Sequence, residues 1–198
     1  NEKGHLEIGG CDTVELAHRF KTPLYVMDEE LIRRQARSYV ESFRKSRFAF
    51  QVAYACKAFC TVAMCRLAHE EGLSLDVVSA GEIYTALKAG FPPEKMHFHG
   101  NNKTPEEIEL ALQAGIGSFV IDNFTEIALL QQMAKEAGKK VKALLRVTPG
   151  VEAHTHEYIQ TGQSDSKFGF NLVNGQAEEA LAQVLQQEAL EWVGLHCH

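Results

Sequence analysis

From Thr22 onward the chain alternates short runs of apolar and β-branched residues with longer segments whose apolar positions fall three and four apart. These are the two periods that distinguish strands from helices. The runs predict strands at 23–27, 48–56, 74–79, 96–99, 119–122, 141–148 and 192–197. Between them, Ile32, Ala36, Tyr39, Val40 and Phe43 define one apolar helix face, and Ala177, Ala180, Leu181, Val184 and Leu185 define another; both helices are expected to pack on a sheet. Ser79 followed by Glu82, and Thr104 followed by Pro105 and Glu107, have the form of capping boxes. Gly90 and Gly138 stand where a left-handed helix terminus needs a residue without a β-carbon.

Strands that read as continuous apolar runs, such as 48–56, are expected to be buried on both faces, and their alternation with helices calls for parallel pairing with right-handed crossovers. An open doubly wound sheet and a barrel both satisfy that pattern. No glycine-rich dinucleotide fingerprint follows an early strand, which weakens the first. Polar residues recur instead at successive strand ends: Lys57, Asp76 with Ser79, His99 with Asn101, Asp122, Arg146, and His196 with His198. A barrel places its active site there. Residues 1–21 lack the rhythm and predict a short strand or two joined to a brief helix near 13–20, while 149–175 reads as a long loop on the active face.

Composition narrows the partners. The 198 residues are 45% hydrophobic and 23% charged, enough for a real core, and the formal net charge of -6 offers no basic field for nucleic acid. The five cysteines, Cys11, Cys56, Cys60, Cys65 and Cys197, are odd in number and lie mostly in apolar runs, which predicts reduced thiols in the cytoplasm. No run is long enough to cross a bilayer and the first residues lack a signal-peptide stretch, so neither membrane association nor export is expected.

Taken singly, the candidate residues keep two readings. A lysine closing an apolar strand, as in Tyr54-Ala55-Cys56-Lys57-Ala58, ordinarily lifts its ammonium to solvent. At a barrel mouth it can instead be partly desolvated and free to condense with an aldehyde. Three His-x-His pairs, His97 with His99, His154 with His156 and His196 with His198, could ligate a metal from strand ends, although packed or solvent-facing imidazoles also account for them. Cys60 and Cys65 read as core, and Cys56 with Cys60 has no second pair to complete a zinc site. Glu82 has a structural reading as the return carboxylate of its cap, Asp122 as a helix cap, and Arg146 as half of a strand-end ion pair.

Together the segments 54–58 (Tyr-Ala-Cys-Lys-Ala), 76–82 (Asp-Val-Val-Ser-Ala-Gly-Glu), 99–103 (His-Gly-Asn-Asn-Lys), 145–150 (Leu-Arg-Val-Thr-Pro-Gly), 166–169 (Ser-Lys-Phe-Gly) and 194–198 (Gly-Leu-His-Cys-His) resemble, in order, the motifs of one family. It is the diaminopimelate decarboxylase branch of the barrel-type decarboxylases that use pyridoxal 5'-phosphate. The Lys57 segment is shared broadly with ornithine and arginine decarboxylases, whereas 99–103 and 194–198 are more particular to the diaminopimelate branch. The resemblance implies an α/β fold in which 22–198 form an incomplete (β/α)8 barrel of about six of the eight strands, with the 23–27 strand as a lead-in. Residues 1–21 would contribute to a β domain that lies mostly outside this chain.

The resemblance also implies roles. Lys57 carries the cofactor as a Schiff base, His198 lies on the cofactor ring, and Asp76, Glu82 and Arg146 line the pocket as an ion-pair network; no metal is expected. The substrate would be meso-diaminopimelate, the product L-lysine, and the assembly a cytoplasmic homodimer with shared active sites. In this family the glycine-rich phosphate loops, the acidic partner of the pyridine nitrogen, the substrate-carboxylate arginine and the cysteine proton donor lie beyond the matched half, so these residues alone are not expected to catalyse. The alternatives are an ornithine, arginine or carboxynorspermidine decarboxylase of the same fold, a non-catalytic barrel that carries the cofactor, and a metal-dependent barrel hydrolase.

Overall fold

The computed structural model describes residues 1–150 and 167–198. Two compact units emerge, one formed by Asn1–Val52 with Leu67–Leu73 and the other by Ala53–Arg66 with Ser74–His198. The call of a histidine pair at His154 and His156, and most of the predicted active-face loop, lie outside the described residues.

In the first unit β1 (Glu7–Ile8) and β2 (Cys11–Asp12) form an antiparallel hairpin, followed by α1 (Thr13–Phe20). The helix starts where it does because the Asp12 carboxylate accepts from the backbone N–H groups of Val14 and Glu15. The helix α2 (Glu29–Arg44) is capped in the same way by Asp28, which accepts from Leu31 N. Arg33 reaches Glu29, Glu70 and Glu71, and Arg37 adds a second guanidinium on Glu71 at 2.7 Å. These two cations, Arg37 first, hold the Glu71 carboxyl down at about 2. The predicted apolar face of α2 is only partly covered: Ile32, Ala36 and Val40 are half-buried, whereas Tyr39 and Phe43 are exposed. Residues 23–27 form no strand, contrary to the expectation from their composition. A β-prone run becomes a strand only when a neighbour completes its hydrogen-bond ladder, and Tyr25 is 97% exposed.

The second unit is built on seven parallel strands: β3 (Ala53–Ala55), β4 (Ser74–Val77), β5 (Met96–Phe98), β6 (Ser118–Ile121), β7 (Val141–Thr148), β8 (Phe170–Asn171) and β9 (Leu190–His196). Each of β3 to β7 pairs with the next; β8 then pairs with the end of β7 and β9 with most of its length. The connecting helices are α3 (Val62–Glu70, whose last residues belong to the first unit), α4 (Ala80–Lys88), α5 (Pro105–Ala114), α6 (Phe124–Glu136) and α7 (Gln176–Leu185). Parallel strands need such crossovers. The core lies between sheet and helices, where Leu75, Val77, Phe98, Phe119, Ile121 and Leu145 are almost fully enclosed. At roughly 1.5–3 kcal/mol for each large apolar side chain buried, these six positions make the central strands the most strongly specified part of the chain.

Local signals mark the helix ends. Thr104 and Glu107 form the predicted reciprocal box on α5, with Pro105 at its first position. Gly90 and Gly138 adopt positive φ after α4 and α6, as anticipated. Three expectations are revised. Asn123, not Asp122, caps α6 by accepting from Glu126 N, because Asp122 is turned to other partners. The predicted 48–56 strand shrinks to Ala53–Ala55, and Phe48 is 81% exposed instead of buried on both faces. The cause is position: β3 pairs only with β4, so its apolar character is not matched by cover. A loop was also expected through 170–171, where the two-residue β8 joins the sheet instead.

The pairing of β7 with β9 contains one irregularity. Ala143 faces Trp192 but Leu144 faces Gly194, so Val193 is an extra residue bulged out of the ladder. Beyond it Arg146 stands opposite His196. Among the described residues no helix is long and apolar enough to cross a membrane.

Candidate active site

The carboxyl ends of the parallel strands converge on a cavity of about 210 Å³ in the second unit, lined among others by Lys57, Asp76, His99, Arg146, His196 and His198. Lys57 sits in a 3-10 turn, Cys56–Ala58, that begins where β3 stops. Its side chain is exposed, and among the described residues Nζ has no hydrogen bond or ion pair. The expected partial desolvation is therefore not seen, because Lys57 follows the poorly covered marginal strand.

Asp76 lies in β4 and His99 one residue past β5; Asp76 Oδ1 and His99 Nε2 are 3.2 Å apart. Burial would raise the Asp76 carboxyl, but the His99 hydrogen bond and the charges of the neighbouring His97 and His196 rings win and hold it below its usual range. The His99 and His196 rings meet edge to face at 4.7 Å, and those of His196 and His198 stack at 6.2 Å. Burial, reinforced by His99 and Arg146, pulls His196 down to about 4, and burial and the Lys57 charge also lower His198. His196 is thus neutral near pH 7, and its Nδ1 is buried with no hydrogen-bond partner among the described residues.

Arg146 is fixed on three sides. Its Nη1 donates to Asp122 Oδ1 at 3.3 Å, and its guanidinium lies 4.3 Å from the centre of the Phe168 ring. Asp122 Oδ2 accepts from Gly169 N at 3.1 Å. A β-carbon at Gly169, whose φ is 71°, would stand 2.8 Å from Arg146 O, so the chain can pass only as glycine.

Of the residues given a role by the resemblance, four come together at this cavity, Lys57, Asp76, Arg146 and His198, beside the strand-end residues His99, Asn101 and His196. Glu82 does not line it. Its Oε2 accepts from Val78 N at 2.8 Å and its own N–H donates to Ser79 Oγ, so it clasps the β4–α4 turn behind the cavity wall. Burial raises its carboxyl, and the Val78 N–H only partly offsets that. The turn before α6 repeats the arrangement, with Glu126 Oε2 accepting from Asp122 N. Reading strand ends named His99 and His196 only as possible metal ligands, and Phe168, inside the predicted 149–175 loop, was given no role although it stands in the 166–169 motif.

Two buried clusters also escaped the sequence. Lys103 Nζ donates to Gly100 O, Val120 O and Glu126 Oε1 at 2.7–2.8 Å. Burial pushes Lys103 down and Glu126 up, yet three acceptors require three N–H donors, and only the ammonium has them. The pair is ionised. Cys60 and Cys65, expected to be simple core, bring their sulfurs within 4.8 Å of each other and of the Cys56 sulfur because α3 folds back on the turn after β3. Contact with the Cys56 thiol, opposed by burial, leaves Cys65 at about 7, while burial lifts Cys60 to about 11.

The family model for "Pyridoxal-dependent decarboxylase, pyridoxal binding domain" matches residues 29–198. The chain belongs to that family. Among curated proteins it is 60% identical to the diaminopimelate decarboxylase of Bacillus subtilis and 61% identical to that of Bacillus methanolicus. Each match covers the whole chain but only 45% and 46% of the relative, so the chain spans less than half the length of these proteins. Among solved structures, the M. jannaschii diaminopimelate decarboxylase in complex with L-lysine superposes with a TM-score of 0.88 at 38% identity, covering all of this chain and 46% of that one. The Helicobacter pylori enzyme with L-lysine superposes with a TM-score of 0.82 at 32% identity, over 94% of this chain and 46% of its own. The parallel sheet of this pyridoxal-dependent decarboxylase domain is accordingly a partial barrel, and its cavity opens at the end where barrel enzymes carry their chemistry.

Proposed function

We propose that the protein containing this chain decarboxylates meso-diaminopimelate to L-lysine with pyridoxal 5'-phosphate held on Lys57. The observation that carries this reading is an amine that, among the described residues, has no hydrogen-bond or ion-pair partner, at the wall of a cavity that also presents Asp76, His99, Arg146, His196 and His198.

The residues present suit a flat, polar, anionic cofactor. Lys57 offers the amine that an aldehyde requires, and the buried, unpartnered His196 Nδ1 offers a polar atom in need of one. The family resemblance supports His198 as the imidazole on the ring and Asp76, Arg146 and Glu82 as the surrounding network. When bound, the pyridine ring supplies the sink for the electron pair left by departing carbon dioxide. The protein's part is placement. Asp76 fixes His99 by a 3.2 Å contact, and His99 in turn meets the edge of His196. Asp122 and Phe168 hold the Arg146 guanidinium over the cavity, where it supplies fixed positive charge. Glu82 acts one step back, holding the turn that carries Val78 into the wall.

The same reading makes the intact protein a cytoplasmic homodimer with shared active sites, in which 1–21 joins a β domain and 22–198 belong to the cofactor barrel. The five free cysteines are in keeping with a reducing compartment. Borohydride reduction of the intact, cofactor-loaded protein followed by peptide mapping tests the assignment: the label should fall on Lys57 and vanish in Lys57→Ala. Carbon dioxide release should be far faster from meso-diaminopimelate than from ornithine or arginine, and label on another residue, or preference for either of those substrates, would refute the reading.

A further inference from the structure

A second cluster shares Cys56 with the wall of the cavity. Cys56 opens the turn after β3, Cys60 follows that turn, and Cys65 lies in the first half of α3. Their three sulfurs are within 4.8 Å of one another, and the Cys60 and Cys65 sulfurs are 3.9 Å apart. Cys56 and Cys65 are enclosed at 1% and 0% exposure, whereas Cys60 is half-buried, so the cluster is walled on two sides and open on the third.

We propose that Cys56, Cys60 and Cys65 form a three-thiol binding site for a trivalent metalloid hydroxide of the arsenite class. Spacing is the first argument. Arsenic(III) is three-coordinate and pyramidal, and bonds to sulfur of roughly 2.3 Å then hold its sulfurs roughly 3.4 Å apart. The 3.9 Å between the Cys60 and Cys65 sulfurs needs only about half an ångström of closure to reach that, whereas a disulfide requires about 2.05 Å. Ligand character is the second, since sulfur donors select soft, thiophilic centres.

Charge decides among those centres. The Cys56 and Cys60 thiols, both pushed up, are protonated at neutral pH, and the fraction of Cys65 that is thiolate at about 7 takes up its proton from water as it reacts. Arsenous acid, As(OH)3, condenses with three of them: three As–O and three S–H bonds break, three As–S bonds form, and three waters leave. No electron changes hands, no proton is released, and the product is neutral. Zinc on three thiolates would leave a net negative charge in a mostly buried pocket, which is costly.

The proposal is independent of the decarboxylase reading and needs no turnover to test. Arsenite added to the intact, reduced protein should add one arsenic per chain by native mass spectrometry and remove three titratable thiols. X-ray absorption at the arsenic edge should show three sulfur neighbours and no oxygen. Cys60→Ser, at the half-open position, should weaken binding at least tenfold with an unchanged circular dichroism spectrum, and Cys60→Ala serves should the serine variant fail to fold. Cys11→Ser and Cys197→Ser should bind as the parent does. Two-sulfur coordination, binding that survives loss of the Cys60 thiol, or no uptake from excess arsenite would each overturn the site.

Discussion

Lys57 and Lys103 look alike in the sequence: each stands just past an apolar strand, in a short polar motif. In the structure they are opposites. Lys103 is enclosed, with all three N–H donors committed to Gly100, Val120 and Glu126. Lys57 is exposed at the cavity wall with none of its donors committed among the described residues. An amine fully spent on hydrogen bonds is a structural cation, since freeing it to react would strand a buried carboxylate. An uncommitted amine can bond to carbon without disturbing the fold. What separates the two is not the strand end itself but whether a carboxylate waits behind it.

Substitution can break that contrast, and the largest effect is expected at Lys57. Lys57→Ala in the intact protein should lower turnover on the order of 10^4-fold or more, the scale of deleting a reacting group, while stability shifts by less than about 0.5 kcal/mol. A variant that turned over at the parental rate would end the assignment. Lys103→Met should do the reverse. It leaves Glu126 buried without its cation, at a cost of about 3–5 kcal/mol in urea unfolding, and adding Glu126→Gln should recover part of the loss. If Lys103→Met were neutral, the buried pair would not be what holds the α6 turn.

A smaller effect should appear in the pH dependence of the cofactor-free protein. His196 titrates at about 4 in the fold against an ordinary 6.5, so between those values the unfolded chain binds more protons. Its neutral state supports the fold fully above pH 6.5, and that support fades as pH falls towards 4. The thermal midpoint should drop across this window, and His196→Gln should flatten the drop. An unchanged profile would mean that the imidazole is not desolvated.

How much of this was legible in the sequence depended on where each residue sits. Strands β4 to β7 have partners on both sides and bury most of their residues, so their apolar runs located them to within a residue or two. The margins misled, because 23–27 and 48–52 have the same apolar character without a partner or a cover to use it. Lys57, Asp76, Arg146 and His198 were found because motifs follow strand ends, and strand ends meet at one cavity. Glu82 was placed in that cavity on resemblance, whereas its carboxylate is spent on Val78 N; its spacing from Ser79 was the better guide. The Lys103–Glu126 pair and the three-sulfur cluster were invisible because they depend on which segments fold back on one another. Lys103 and Glu126 are 23 residues apart, and no local period encodes that distance.

Val193 shows how much chemistry one inserted amino acid can redirect. Strand side chains alternate between faces, so a ladder without the bulge would seat Leu195, not His196, across from Arg146. The wall of the reaction chamber would then offer hydrocarbon where it now offers a ring nitrogen. Flattening the bulge while keeping every residue is therefore equivalent to swapping the imidazole for a methyl-tipped chain, although no histidine would have been touched.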